Sequence, residues 1–505
     1  MGWTPQFLEA LAAPVYTPRF FLEVSKEPGS PGASGVKFYS HQSPSDGDPG
    51  HAISRTGLRV SSGAVSVLSW STSYGGLVVG IHGGAGTATA VLQSIVKGSI
   101  VRLFLGFEGW DHGEFEPIFT GQVRQLRGTP QRGYTLECLD IVRALGSRWT
   151  TTAGRAALFY NLRELASTTV KTGVDYTAGA PTIDVTSSAS FERETGGNYL
   201  LRVTGTSGTF YIRATGLTGA QFTGLSTGIY GTTDADAAAG NKVEHMALLQ
   251  DGPIDIVKKI LMSTAGGTGG TFDTYPGAWG FALPIDWLDT ADIDDVATRY
   301  HIGTTWNLDV VVTEAQTDPA SWLSGVLEPC GMWLVHRQGQ ISLRYSQNPY
   351  LTTPGTIPAD FHVSDSDMES VLDWQAWDGS RAIEYQDVSV DVAASGIPAS
   401  TSTDPVSTLP NAKAYTITLD HLWDTTSTNA PNAQLDVRRR SEIWAHRISE
   451  RVSVLLSGLA YAGLVAGDIG RISSSVIPSR DSGGTSSRAC MVLSCEPDWL
   501  AGVVR

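Results

Sequence analysis

VRLFLGFEGWDHGEFEPIFTGQVRQLRGTPQRGYTLECLDIVRAL, residues 101–145, holds three strand patterns and the turns between them in one unbroken run. Val101, Leu103, Leu105 and Phe107 alternate with Arg102, Phe104 and Gly106. That is the period of two expected when one face of a strand is buried. The acidic, glycine-bearing EGWDHGEFEP turns the chain, IFTGQVRQL returns it, and RGTPQRG turns it again before Tyr134, Leu136 and Cys138 resume the alternation. Strand runs separated by such turns predict an antiparallel meander. Gly121, inside the second run, predicts a bulge or sharp bend of the kind a small barrel needs at its corners.

Working outward, the whole composition agrees with a β-rich globular protein. The 505 residues are 41% hydrophobic and 17% charged, with 56 glycines, too long for one core and enough for about three or four domains. A formal net charge of -15 argues against general nucleic-acid binding, which needs a basic footprint. The four cysteines, Cys138, Cys330, Cys490 and Cys495, have neither disulfide-framework density nor CxxC spacing. They read as buried thiols of a protein made in a reducing cytoplasm. No apolar run approaches the roughly 18 residues that span a bilayer, so no stable membrane insertion is expected. The N-terminus lacks the pattern of a secretory signal, and Gln6 stands where myristoylation of Gly2 wants Ser or Thr.

Taken in order, residues 17–24 and 58–79 read as strands, with the Pro/Gly/Ser-rich stretch 27–50 as a surface loop between them. Gly83, Gly84 and Gly86 lack the following Lys of a phosphate-cradling loop. From about Ala153 to Gln250, TIDVTS, NYLLRVTG, TFYIRATG and QFTGLSTG are short strand patterns of a small β domain. DGPIDIVKKILMST predicts a helix with Asp251 as N-cap, Pro253 in the first turn, and Ile254, Val257, Ile260 and Leu261 on one face. SWLSGVLEPC predicts a second helix, and MWLVHRQGQISLRY a hairpin turning near Arg337–Gly339, so this region reads as α+β. AIEYQDVSVDV is a strand, 394–410 a loop or linker, and YTITLD another strand. Val437, Trp444, Ile448, Val452 and Leu455 then fall at helical spacing and predict a long helix over 432–458, with RACMVLSCEP as a last strand. The expected organisation is mainly β and multidomain: a β-barrel domain at 1–149, an inserted small β domain at 150–250, an α+β domain at 251–350 and a second β-barrel domain at 351–505.

Four stretches in this order resemble the baseplate or tail-tip hub proteins of long-tailed (siphovirus-like) bacteriophages and gene transfer agents. They are IFTGQVRQL with YTLECLDIVRAL; DGPIDIVKKIL with WNLDVVVTEAQTDPASWLSGVLEPCGMWLVHRQGQISLRY; LVAGDIGRIS around Gly467 and Asp468; and CMVLSCEPDWLAGVVR. The resemblance implies a structural virion protein, made in the host cytoplasm and resident in the tail tip or baseplate. It implies a homotrimeric ring whose two tube-like barrels per subunit continue a hexameric tail tube. Implied partners are the distal tail or tube protein, the tape-measure protein, and tail fibres or receptor-binding proteins, for host attachment and DNA delivery. DNA would pass through the channel without specific binding. The chain ends soon after the last hub-like strand, so receptor recognition is expected of a partner. The strands after Gly467 are the expected partner of the meander.

Glu108, Asp111, Glu114 and Glu116 contain the paired acids that a glycan hydrolase needs, but so many carboxylates in one glycine-bearing turn read more simply as a solvated loop. His82 and His112 read as loop residues with no accompanying nucleophile elbow. Asp289, Asp292, Asp294 and Asp295 lack the sixth-place glycine and twelfth-place Glu of a calcium loop, and read as helix capping and an acidic turn. The four cysteines lack ferredoxin-like spacing. Arg438, Arg439, Arg440, Arg447 and Arg451 read as a helix face paired with Glu442 and Glu450, not as a nucleic-acid grip. The chain is therefore expected to be non-enzymatic, with no catalytic, cofactor or metal residues. A tail-associated glycan hydrolase and a carbohydrate-binding module at 150–250 are the alternatives.

Overall fold

A computed structural model describes residues 3–13, 17–28, 36–39, 51–61, 64–66, 71–72, 75–82, 95, 97–129, 132–145, 167–189, 191, 198–229, 232–245, 247–251, 253–262, 283, 287–299, 307–312, 319–327, 331–345, 361–376, 387–392, 401–403, 414–419, 422–423, 450–477 and 488–505. The fold is mainly β and multidomain.

Helix α1 (Pro5–Ala12) opens the chain. The Thr4 hydroxyl accepts from Phe7 N at 3.4 Å, Pro5 fits the first turn without forfeiting a hydrogen bond, and Phe7 and Leu11, one turn apart, share the buried face. Nine strands follow: β1 (Pro18–Pro28), β2 (Val36–Tyr39), β3 (His51–Ser61), β4 (Val65–Ser66), β5 (Ser71–Thr72), β6 (Gly76–His82), β7 (Ser99–Phe107), β8 (Glu116–Thr129) and β9 (Gly133–Asp140). Without β4 and β5, which pair with each other, they close into a barrel in the order β1-β2-β3-β6-β9-β8-β7. The expected meander is β7–β8–β9, with Leu103 opposite Phe119 and Val123 opposite Cys138. β2 lies inside the stretch expected to be a loop, and it pairs along β1 with Phe38 opposite Leu22. Four residues flanked by turn formers are too short a run to be seen by periodicity. Alternate residues point inward, so Leu22, Val79, Leu103 and Leu136 are wholly buried.

Gly121 works differently from the expectation. The register shifts in β8 fall on either side of it, opposite Leu103/Phe104 and between Val123 and Gln125. At Gly121 itself a β-carbon would collide with the carbonyl oxygen of Leu139 and would press on the Phe119 ring. The glycine is there for close approach between strands. Asp140 ends β9, caps the short helix α2 (Ile141–Ala144) by accepting from Arg143 N at 2.7 Å, and accepts from Gly75 N at 2.5 Å.

A six-stranded sheet contains β10 (Ser167–Thr169), β11 (Thr182–Asp184), β12 (Tyr199–Thr204), β13 (Thr209–Thr218), β14 (Gln221–Thr227) and β15 (Lys242–His245), in the order β10-β15-β12-β13-β14-β11. The bridge between Val170 and Val185, with Lys171 N donating to Asp184 O at 3.0 Å and Thr186 N to Thr169 O at 2.9 Å, joins its two ends.

The α+β region holds β16 (Ala247–Asp251), α3 (Pro253–Met262), α4 (Thr290–Arg299), β17 (Asn307–Val312), α5 (Pro319–Leu327), β18 (Met332–Arg337) and β19 (Gln340–Tyr345). Ile254, Val257, Ile260 and Leu261 are buried as their spacing predicts. Asp251 is not a free N-cap: it closes β16 opposite Leu308, and the helix starts at Pro253.

Last come β20 (His362–Ser364), β21 (Met368–Ala376), β22 (Asp387–Val392), β23 (Thr401–Thr403), β24 (Ala414–Leu419), β25 (Leu422–Trp423), β26 (Glu450–Ser457), β27 (Ile469–Ser473), β28 (Arg488–Met491), β29 (Pro497–Asp498) and β30 (Val503–Val504). They form the sheets β20-β27-β28, β21-β26-β30-β29 and β23-β22-β24, while β25 adds to β16-β17. The helix expected over 432–458 is overturned where it can be seen. Residues 450–457 are β26, with Val452 opposite Trp374 and Val454 opposite Val371. Pairing along β21 and the β-branched valines outweigh the helical spacing of Val452 and Leu455. Val437, Trp444, Ile448, Arg438–Arg440, Glu442 and Arg447 lie outside the described residues, as do Gly83, Gly84 and Gly86.

One hydrophobic core runs through the first barrel, α1 and the C-terminal strands. Phe7, Phe20, Leu103 and Phe119 share it with Leu456, Leu459, Cys495, Trp499 and Val504. Gly121→Ala is expected to destabilise the protein by about 1–3 kcal/mol, the usual cost of forcing extra volume into a packed site, and urea denaturation followed by tryptophan fluorescence would measure it.

Candidate functional site

In the acidic turn Glu108, Asp111 and Glu114 are exposed, as a solvated loop requires, while Phe115 folds inward. Phe115 lies directly on the backbone of Gly106, where no β-carbon would fit. His112, in a single 3-10 turn, stacks on Phe21 at 5.8 Å and meets Phe115 edge-on at 5.4 Å. Phe21 also stacks on Phe104 at 5.3 Å. Two of the four carboxylates contact other parts of the structure, and a third closes the turn itself. Glu108 pairs with Arg19 at 2.8 Å, Glu114 accepts from Asp111 N at 2.9 Å, and Glu116 accepts from Thr4 N at 3.1 Å, fixing the start of α1. His82 is the last residue of β6 and not a loop residue.

The convergence of polar side chains lies elsewhere, at the β18–β19 hairpin. Its turn residues Gln338 and Gly339 both have positive φ, 51° and 76°, the pairing that matches the twist of a two-residue hairpin. Gln is an unusual choice there. Its side-chain oxygen accepts from Trp3 N at 3.0 Å, which gives the strained residue a purpose. Trp3 also donates from Nε1 to Pro117 O at 3.0 Å and meets Trp499 edge-on at 6.1 Å. One turn therefore touches the N-terminal segment, which itself touches β8 and the C-terminal tail.

Behind the turn, charged side chains are drawn inward. Arg344 donates from Nε to Asp468 Oδ1 at 2.7 Å and from Nη1 to Asp292 Oδ2 at 2.6 Å. Arg337 donates to Asp292 Oδ1 at 2.6 Å, and the Ser342 hydroxyl also reaches Asp292. Burial works to raise the Asp292 carboxyl, and Arg344 and Arg337 outweigh it, holding it below the usual carboxylate range. Asp289 caps α4, accepting from Asp292 N at 3.2 Å, and Asp294 pairs with the buried Lys258 of α3. The expectation of capping thus holds for Asp289, while Asp292 is an interior ion-pair partner. Asp468 also accepts from Val465 N at 2.8 Å. A β-carbon on Gly467 would press on Trp333 and Arg344, and Trp333 Nε1 donates to Ala466 O at 3.4 Å. Sequence separates the three poles of this network widely, and no local signal links them.

His336, on the same hairpin, accepts through Nε2 from Thr120 N at 3.2 Å and lies against Phe119. Loss of water around the ring pushes its pKa down to about 4. Burial pushes Asp140 the other way, up to about 6, against the backbone hydrogen bonds from Arg143 and Gly75.

The thiols of Cys138 and Cys495 are buried, and that of Cys490 is partly so. Burial raises all three, Cys490 and Cys495 to about 12, which leaves them protonated and unreactive. Cys330 lies outside the described residues. Among the described residues, no three His, Cys, Asp or Glu are grouped to hold a metal ion, and no helix is long and apolar enough to cross a membrane. Glu450 pairs with Arg488 at 2.5 Å, a strand-borne contact in place of the expected helix-face pair. His362 Nε2 and Ser473 Oγ, 2.9 Å apart, form a base–hydroxyl contact that the sequence does not announce. The nearby Asp367 is engaged by Ser364 and Tyr461. Among the described residues, the arrangement can fix parts of the fold in place.

Replacing Arg344 by Met leaves Asp292 and Asp468 buried without their shared cation. A loss of about 3–5 kcal/mol is expected, the range for a broken buried pair, readable as a lower denaturation midpoint. His336 predicts a pH effect. Between pH 6.5 and about 4 the unfolded chain takes up a proton that the folded chain refuses, so acidification costs stability through this group. Asp140 acts with opposite sign, its contribution falling as pH rises from 3.8 to about 6. Relative to the native protein, His336→Gln should therefore gain about 2–3 kcal/mol as pH falls from 6.5 to 4. Urea titrations at both pH values would check this.

No protein-family model matches the chain, and no curated protein does. Among solved structures, one chain of the virion of a native gene transfer agent (GTA) particle is similar, at 15% sequence identity and a TM-score of 0.22, the match covering 48% of this chain and 84% of that one.

Proposed function

We propose that this chain is a structural virion protein, the hub of a bacteriophage-like or gene-transfer-agent-like tail tip. In this reading it trimerises, ends or continues the tail tube, and anchors fibres or receptor-binding proteins during attachment and DNA delivery. The division into 1–149, 150–250, 251–350 and 351–505 belongs to the same proposal. The observation that carries it is the shared core. The barrel of the first hub-like stretch and the strands of the last two are packed on the same apolar side chains, and Arg344 ties the third stretch, at Asp468, to the second. Four stretches picked out by resemblance are thus linked by packing and by an ion pair, which supports the reading. The carboxylates Glu108, Glu114 and Glu116 have structural partners, which supports an architectural role for the turn over hydrolysis.

Native mass spectrometry of the purified protein should give three times the chain mass, and a density map of a tail tip should place three copies around its axis. A stable monomer that binds no tail component would sink the proposal.

A further inference from the structure

One face of the sheet β20-β27-β28 brings together side chains that neither the assembly reading nor the ion-pair frame uses. β20 and β27 run parallel, with His362 in register with Arg471 and Ser364 with Ser473. Residues in register, and residues two apart in a strand, share a face of the sheet. His362, Ser364, Arg471 and Ser473 therefore stand together, while Val363 points the other way and is buried. His362 and Arg471 are exposed, and Ser364 and Ser473 are half-buried, so the group is open to solvent.

His362 Nε2 lies 2.9 Å from Ser473 Oγ, the separation at which an imidazole can take the proton of a serine nucleophile. Both partners are held by their surroundings. The Tyr461 hydroxyl donates to the His362 carbonyl at 2.8 Å, and the strand ladder fixes Ser473 beside it. Ser473 is the last residue of β27, and Asp365 ties the bend that follows, accepting from Ser475 N at 2.9 Å and from Ser475 Oγ at 2.6 Å. Asp367 accepts from Ser364 N at 2.8 Å. Burial works to raise its carboxyl, and Ser364, Tyr461 and the neighbouring His362 outweigh it, so the group stays ionised. A carboxylate close to the ring favours the imidazolium that forms when the serine proton moves. The Arg471 guanidinium has no hydrogen-bond or ion-pair partner among the described residues. It is left to meet negative charge that develops beside the pair.

We propose that Ser473 and His362 are the nucleophile and base of an acyl-transfer site for carboxylic esters, with Arg471 facing the charge on the attacked carbonyl oxygen. The open face suits an ester carried on a large molecule. The Ser473 oxygen attacks the carbonyl carbon, and its proton passes to His362 Nε2. The bond from that carbon to the alcohol oxygen then breaks, and the alcohol leaves with the proton. Water, giving a proton to the same imidazole, adds to the acyl-serine, and the acid departs as Ser473 regains its proton. This activity does not depend on the assembly proposed above.

Treatment of the native full-length chain with a fluorophosphonate tests it. Attack by Ser473 displaces fluoride, so intact mass should show a single phosphonate adduct, and peptide mapping should place it on Ser473. Ser473→Ala should abolish the adduct, and His362→Gln should slow its formation roughly a hundredfold or more, the usual contribution of a general base. Hydrolysis of 4-nitrophenyl acetate should fall in the same order. Arg471→Met should slow both reactions, with an unchanged urea midpoint in each variant showing that the fold is intact. No adduct on Ser473 of the folded native chain, or an adduct that His362→Gln forms as fast, would overturn the proposal.

Discussion

The guanidinium of Arg344 is the constraint on which the rest of the structure depends. It sits on β19, has little contact with water, and is held between Asp292 at the start of α4 and Asp468 before β27. Burying such a group without partners costs several kcal/mol, so each carboxylate must be delivered to it by its own element. That requirement fixes where the acidic helix and the C-terminal strands stand relative to the hairpin. The hairpin in turn is fixed to the first barrel through His336 and Thr120, and to the N-terminal segment through Gln338 and Trp3. Apolar packing of Phe7, Leu103, Leu456 and Trp499 then supplies nondirectional cohesion around this directional frame.

The division between legible and illegible follows the range of the forces involved. The meander could be read because Val101, Leu103 and Leu105 alternate locally, and α3 because Ile254, Val257 and Ile260 recur at helical spacing. Helix α1 was within reach, since Thr4, Pro5, Phe7 and Leu11 form a short start-and-face pattern. Residues 450–457 show the limit of periodicity. Val452 and Leu455 satisfy a helical spacing, yet the partner strand β21, distant in sequence, decides their conformation. The ion-pair frame was beyond local reading. Asp292 reads as one more surface acid in DTADIDDVATRY, and only folding brings Arg344 and Asp468 to it.

Gly121 and Gly467 make a related point. A glycine in a strand suggests a bend, and one before an Asp suggests a turn, but both are required by what approaches them from elsewhere: the Leu139 carbonyl in one case, Trp333 and Arg344 in the other. Their role belongs to packing, and sequence shows only that something needed room.

Closure of the first barrel has a consequence for life at high concentration. An open sheet exposes a row of unpaired peptide groups on which another chain can be templated. Where β1 meets β7, that row is used up inside the same molecule. A neighbouring copy therefore finds no free edge at this seam to extend strand by strand. Contacts made there must be written in side chains and loops, which can be specific for one partner in a way that backbone pairing cannot.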